Sequence, residues 1–150
     1  MNVAVINPPY AVPFIREGRC QSPQSYRKNS IPQMTLGLIA GVLRKAGYEV
    51  QVFDAIALDL SAESIASSLA GSPPALILVN TSTPTIDSDL AFVEMLKLRF
   101  PGAVAAVFGA HATVLDRRLL EAAPRLDAVI RGEPEWASLD LAAAVAAGKP

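Results

Sequence analysis

Ala75-Leu76-Ile77-Leu78-Val79-Asn80-Thr81-Ser82-Thr83-Pro84-Thr85 is the stretch whose reading decides the fold. An apolar run ends abruptly in amide and hydroxyl side chains, and a helical pattern starts at Ile86. A buried strand that breaks into short polar residues just before a helix is how α/β proteins present a ligand edge. Such edges lie outside the carboxyl ends of parallel strands, where backbone N–H groups and helix N-termini point outward.

Working outward, the same grammar repeats. Residues 3–6 read as a short buried strand stopped by Asn7-Pro8-Pro9. From 7 to 32 there is neither helical nor alternating pattern, and prolines recur at 8, 9, 13, 23 and 32. A connection this long inside a compact domain reads as a functional loop. Thr35 is placed to cap a helix over 36–46, in which Leu36, Ile39, Ala40 and Leu43 form one apolar stripe, and Gly47 is its stop. Residues 48–53 alternate as a second strand ending at Asp54-Ala55. A helix over 62–70, capped by Ser61, precedes the opening strand. Beyond that strand, Thr83 is the expected N-cap and Pro84 the first helical residue. Ile86, Leu90, Val93, Leu96, Leu98 and Phe100 supply that helix's apolar content. A fourth strand over 103–108 leads through Gly109-Ala110-His111-Ala112-Thr113 to a short helix over 115–122. A fifth strand, 128–130, is followed by Arg131-Gly132-Glu133-Pro134-Glu135 and a last helix, 134–147.

Five apolar strands alternating with five helices make βαβ units, hence a parallel sheet covered on both faces. The expected fold is α/β: a flavodoxin-like (Rossmann-like) three-layer domain with a five-stranded parallel sheet in the order 2-1-3-4-5. Its switch point falls between strands one and three, so Asn7 and residues 80–83 would face each other across the crevice.

Composition bounds the function. Half the residues are hydrophobic (51%) and the net charge is −1, which gives no electrostatic footprint for nucleic acid. No apolar run is long enough to cross a bilayer, and residues 1–6 are too short for a signal core. The one cysteine, Cys20, excludes an internal disulfide and any multi-cysteine metal site or iron–sulfur cluster within these 150 residues. The expected compartment is the cytoplasm.

Familiar occupants of such an edge fail on their defining residues. G-x-G-x-x-G after strand one is replaced by Asn7-Pro8-Pro9-Tyr10, and neither a P-loop nor a nucleophile elbow occurs. A receiver domain needs carboxylates where this chain has Asn7 and Asn80.

The ordered set that remains resembles the N-terminal cobalamin-binding domain of cobalamin-dependent radical SAM enzymes. It consists of Asn7-Pro8-Pro9, Gly18-Arg19-Cys20, Pro32 with 36–40 and Leu43, and 47–50 closed by Asp54-Ala55. Then come Thr81-Ser82-Thr83, Gly109-Ala110-His111-Ala112-Thr113 and Gly132-Glu133-Pro134-Glu135. The D-x-H-x-x-G string that places histidine on cobalt in methionine synthase-type domains is absent, and the one histidine, His111, follows strand four. The resemblance therefore implies a corrinoid held without a protein histidine on cobalt, its nucleotide tail in the sheet crevice.

It further implies cofactor contacts at Asn7, Pro8, Gly37, Gly41, Thr81, Ser82, Thr83, Gly109, Ala110, His111, Ala112, Gly132 and Glu133, with no catalytic or metal-ligating residue. Domain 1–147 would lead through a linker starting at 148–150 to a C-terminal radical SAM domain of the same chain. That domain would carry the [4Fe–4S] cluster and S-adenosylmethionine, and its chemistry would most often be methyl transfer. Two other readings stay open: half of a nucleotide-sugar-dependent transferase, or a cofactor-free α/β interaction domain.

Plainer roles stand beside these. Thr81 to Thr83 also suit helix capping, Gly37 and Gly41 suit close helix packing, and Glu133 and Glu135 suit a helix N-terminus. Arg16, Arg19, Arg27 and Lys28 read as solvated surface, Cys20 as an ordinary loop cysteine. Tyr10 and Phe14 either stack near a corrin or anchor the loop.

Overall fold

Parity along the strands sorts the apolar residues into two cores. In the computed structural model of the chain, which describes residues 1–16, 21–23 and 32–149, Val3, Val5, Leu76, Leu78, Ala106 and Phe108 point to one face of the sheet. Ala4, Ile6, Ile77, Val79, Ala105 and Val107 point to the other. The elements are β1 (Asn2–Asn7), α1 (Met34–Lys45), β2 (Glu49–Asp54), α2 (Ala62–Ala70) and β3 (Leu76–Asn80). A 3-10 turn (Thr83–Thr85), α3 (Ile86–Arg99), β4 (Val104–Phe108), α4 (Ala110–Ala122), β5 (Ala128–Val129) and α5 (Pro134–Ala146) follow.

The sheet order is β2-β1-β3-β4-β5 with every pairing parallel, the expected 2-1-3-4-5. Residues of α1 and α5 pack on the Val3 face, those of α2, α3 and α4 on the Ala4 face. Register then aligns the strand ends, Asn7 beside Asp54 and Asn80 beside Phe108. A small antiparallel ribbon, Phe14–Ile15 with Ser22–Pro23, stands apart from the sheet.

Three helix starts differ from expectation. Thr35 lies inside α1, whose first residue follows Gln33, and no side chain caps it. Gln33 instead pins the start through its neighbours: its backbone N–H donates to Asp54 Oδ2 (2.9 Å) and its side-chain oxygen accepts from Asn80 Nδ2 (2.7 Å). Thr83 begins a 3-10 turn, and α3 starts only at Ile86. That helix buries Phe92, Val93, Leu96 and Asp89, whereas Leu98 is exposed. Finally, α4 begins at Ala110, so residues 110–113 are its first turn rather than a loop, and the break falls at Leu115. Ser61 caps α2 as expected, accepting from Ser64 N at 3.1 Å.

Gly109 closes β4 onto α4 at φ 119°, and a Cβ there would run into the Thr81 carbonyl. Gly109→Ala combines an unfavourable backbone conformation, about 1–3 kcal/mol, with this steric conflict. Urea unfolding should show a loss of at least that size.

Candidate functional site

The carboxyl edge of the sheet is built on a buried polar network, and its centre is Arg16. Its side chain and that of Asp89 are both 0% exposed, and Nη2 donates to Asp89 Oδ1 at 2.7 Å. Nη1 donates to Asn7 Oδ1 (2.9 Å) and to the Pro8 carbonyl (3.0 Å), and Nε donates to Thr85 Oγ1 (3.3 Å). Thr85 gives its single hydroxyl proton to Asp89 Oδ2 at 2.6 Å, so Ser82 must be the donor in the 2.7 Å contact with Thr85. The Ser82 N–H also reaches Asp89 Oδ2, at 3.2 Å. Burial pushes the Asp89 carboxyl above its ordinary range, while Arg16, Thr85 and the Ser82 N–H draw it back. Asn7 Nδ2 donates to Asp54 Oδ1 at 2.7 Å, which joins the network to Gln33 and the start of α1.

Arg16 therefore overturns its reading as solvated surface. A guanidinium at the start of a proline-rich loop looks solvated in sequence because its partner lies 73 residues away. Arg19, Arg27, Lys28, Gly18 and Cys20 lie outside the described residues. Phe14 is buried and meets Tyr10 edge-on, ring centroids 5.5 Å apart, with the Arg16 guanidinium 6.0 Å from the Tyr10 ring. These rings anchor the loop.

Above this floor opens a cavity of about 470 Å³. Three helix starts converge on it: Thr35 of α1, Ala110, Thr113 and Val114 of α4, and Pro134 of α5. Strand ends contribute Asn80 and Phe108, and the first loop contributes Arg16 and Gln21. Gly109, Gly132 and Glu133 complete the wall. Thr113 ties two of these loops together, donating to the Gly109 carbonyl and accepting from Gly132 N, both at 3.0 Å.

Of the residues expected at the site, Gly109, Ala110, Gly132 and Glu133 line this cavity. Thr83 is exposed at the edge, and its hydroxyl lies 3.2 Å from His111 Nδ1. The side chains of Thr81 and Ser82 are fully buried; Thr81 donates to the Phe108 carbonyl at 2.8 Å and Ser82 to Thr85. Asn7 is likewise spent beneath the floor, together with the Pro8 carbonyl. Ala112 packs in the opposite core. Gly37 and Gly41 are exposed, with open space where a Cβ would stand, so neither packs against the sheet.

Thr35, Thr113, Pro134 and Thr85 stood in the motifs read from sequence but not among the expected contacts, and Phe108, Val114, Gln33 and Asp89 were not singled out for the site at all. Asp89 did leave a signal: it interrupts the buried face of α3 shared with Val93 and Leu96, and a carboxylate there needs a partner. Among the described residues, no group of three or more His, Cys, Asp and Glu side chains is placed to hold a metal ion, and no helix is long and apolar enough to cross a membrane.

A family model described as the B12 binding domain matches residues 26–142. Two curated relatives carry the name anaerobic magnesium-protoporphyrin IX monomethyl ester cyclase. That of Rubrivivax gelatinosus is 30% identical over 119 residues, 79% of this chain and 21% of its own length. That of Cereibacter sphaeroides is 31% identical over 113 residues, 75% of this chain and 18% of its own. The chain thus spans about a fifth of these relatives. A solved structure, the radical S-adenosylmethionine methyltransferase TsrM from Kitasatospora setae with tryptophan substrate and a SAM analog bound, matches with a TM-score of 0.76. It is 16% identical and covers 99% of this chain and 26% of that one, a likeness of fold.

Removing one member of the central pair should be severe. Arg16→Met leaves a buried carboxylate without its cation, for which a loss of about 3–5 kcal/mol is expected. The double variant Arg16→Met/Asp89→Leu should recover a large part of it. Equilibrium unfolding of the three proteins reads both effects.

Proposed function

Because the chain belongs to the B12-binding domain family, we propose that it holds a cobalamin at the cavity over the carboxyl edge of the sheet, as one module of a longer radical SAM enzyme. The observation that carries the site is the convergence of three helix N-termini and two strand ends on one cavity. A volume of about 470 Å³ suits a nucleotide-sized end of a ligand. The broad corrin would then lie across the mouth. Gly109, Ala110 and Gly132 keep the wall low enough for backbone to approach a ring, and Thr83 and Glu133 offer polar groups to amide side arms. The N-terminal turns favour a phosphate.

His111 flanks the edge beside Thr83 and touches the corrinoid periphery without ligating cobalt. Asn7, Pro8, Thr81, Ser82 and Ala112 act one layer down, by fixing the edge that the ligand meets. Gly37 and Gly41, exposed on α1, are taken as a bare face for the partner domain. When bound, the corrinoid supplies a cobalt centre for group or electron transfer, and the protein supplies binding and orientation. S-adenosylmethionine and a [4Fe–4S] cluster belong to a C-terminal domain reached through a linker that begins at 148. The working compartment is the cytoplasm.

Methyl transfer is the reaction class that the family resemblance implies for the parent enzyme. The cyclase name borne by the relatives near 30% identity favours cyclisation as the second reading for the parent enzyme.

The purified chain mixed with hydroxocobalamin should carry the corrinoid through gel filtration, read by its visible absorption. Elution free of colour would sink the assignment. Reduced to the cob(II) state, the complex should show no nitrogen splitting from a protein imidazole in its EPR spectrum. A split pattern that disappears in His111→Ala would overturn the claim of an unligated cobalt.

A further inference from the structure

The antiparallel ribbon of the first loop is too short to hold itself. Phe14 pairs with Pro23 and Ile15 with Ser22, and a lone two-stranded ribbon is marginal in water even when longer. Pro23 brings no N–H to the ladder, and Ser22 and Pro23 are both exposed, so their strand buries little. Two side chains of the other strand pin the ribbon. Phe14 is buried and meets Tyr10 edge-on. Arg16, two residues on and therefore on the same side of the strand, ends on Asp89.

Arg16 and Gln21 come next in the ribbon's register, and Gln21 Nε2 donates to the Arg16 carbonyl at 3.0 Å. Both residues line the cavity. The Arg16 side chain is wholly buried, so what Arg16 gives the cavity is main chain, with the half-buried Gln21 held against it. Asp89 is fully buried on α3 and lies outside the cavity wall, yet it sets where this wall stands.

We propose that Arg16 and Asp89 are positioning residues for the ligand: their pair holds the ribbon as a ready-made wall, on which Gln21 meets the corrinoid. Asp89 acts through Arg16, and Arg16 through the carbonyl that holds Gln21. This rests on the corrinoid reading above and adds a wall from the first loop to a site otherwise built from strand ends and helix starts. The guanidinium bonds to Asn7, Pro8, Thr85 and Asp89 are directional and fix the ribbon's orientation. An apolar pair would fill the same space, but apolar packing has no direction. Fold stability and ligand affinity therefore separate at this pair.

The test titrates the 150-residue chain, Gln21→Ala, Arg16→Met/Asp89→Leu and the triple variant with hydroxocobalamin. Thermal unfolding without ligand is measured for each. Gln21→Ala should melt close to the unaltered chain and bind roughly threefold more weakly. The double variant, although it regains much of its stability, should bind roughly tenfold more weakly, because its ribbon has to be ordered on binding. In that background Gln21→Ala should change affinity by less than about twofold, the non-additivity expected of residues that act through one another. Unchanged affinity in the double variant overturns the positioning role, and so does unchanged affinity in Gln21→Ala. Additive losses in the triple variant overturn the claim that Arg16 acts through Gln21. Should the double variant stay as unstable as Arg16→Met, Gln21→Ala decides alone: weaker binding at an unaltered melting point supports the wall. Unaltered chain that carries no corrinoid fails at the earlier step and removes both readings together.

Discussion

A guanidinium cut off from water has to be met by acceptors on every side, and the carboxyl edge of this domain is arranged around that requirement. Arg16 leaves the first loop, enters the sheet edge and is received by Asn7, Pro8, Thr85 and Asp89. Such a pair is weak evidence for stability, since two desolvated charges recover little more than they lose. Its consequence is geometric. Two regions far apart in sequence, residues 7–16 at the end of β1 and in the first loop and residues 82–89 between β3 and α3, can satisfy one another in a single arrangement. The floor of the cavity is therefore fixed before any ligand arrives, which lowers the ordering cost of binding.

The sheet was legible in the sequence because the strands are apolar runs, or an alternating one at 48–53, bounded by polar breaks, and their alternation with helices leaves few parallel strand orders. The Asn7 and Asn80 ends landed where the strand count put them. Helix starts were less legible, for a physical reason. Thr35 and Thr83 have capping chemistry, yet tertiary contacts set the actual starts: Gln33 pinned to Asp54 and Asn80 at α1, and Thr85 drawn into the Asp89 network ahead of α3. Local propensity competes poorly with bonds formed inside a dry core.

The same competition explains how the site departed from its expected residues. Short polar side chains at a strand end have two employments, building the edge or meeting the ligand, and composition does not separate them. Thr81 and Ser82 took the first, with hydroxyls committed to the Phe108 carbonyl and to Thr85. Thr83, one residue on, stays exposed. Gly109 serves both: its positive φ and lack of a Cβ let β4 turn against the Thr81 backbone, and that turn leaves it on the cavity wall.

The two faces of the sheet end up unequal. On the side of α2, α3 and α4, apolar side chains up to Phe92 and Leu96 fill the core, and the charged pair closes its edge. On the side of α1 and α5, Leu36, Ile39, Leu43 and Phe108 fill the core, and the cavity opens at its carboxyl end beside Thr35 and Pro134. A fold that satisfies eight polar side chains within its edge network, Asn7, Arg16, Gln33, Asp54, Asn80, Ser82, Thr85 and Asp89, has no difficulty pairing hydroxyls. The Ser138 hydroxyl of α5 is the exception among the described residues, a buried hydroxyl without a partner, which costs about 1–3 kcal/mol.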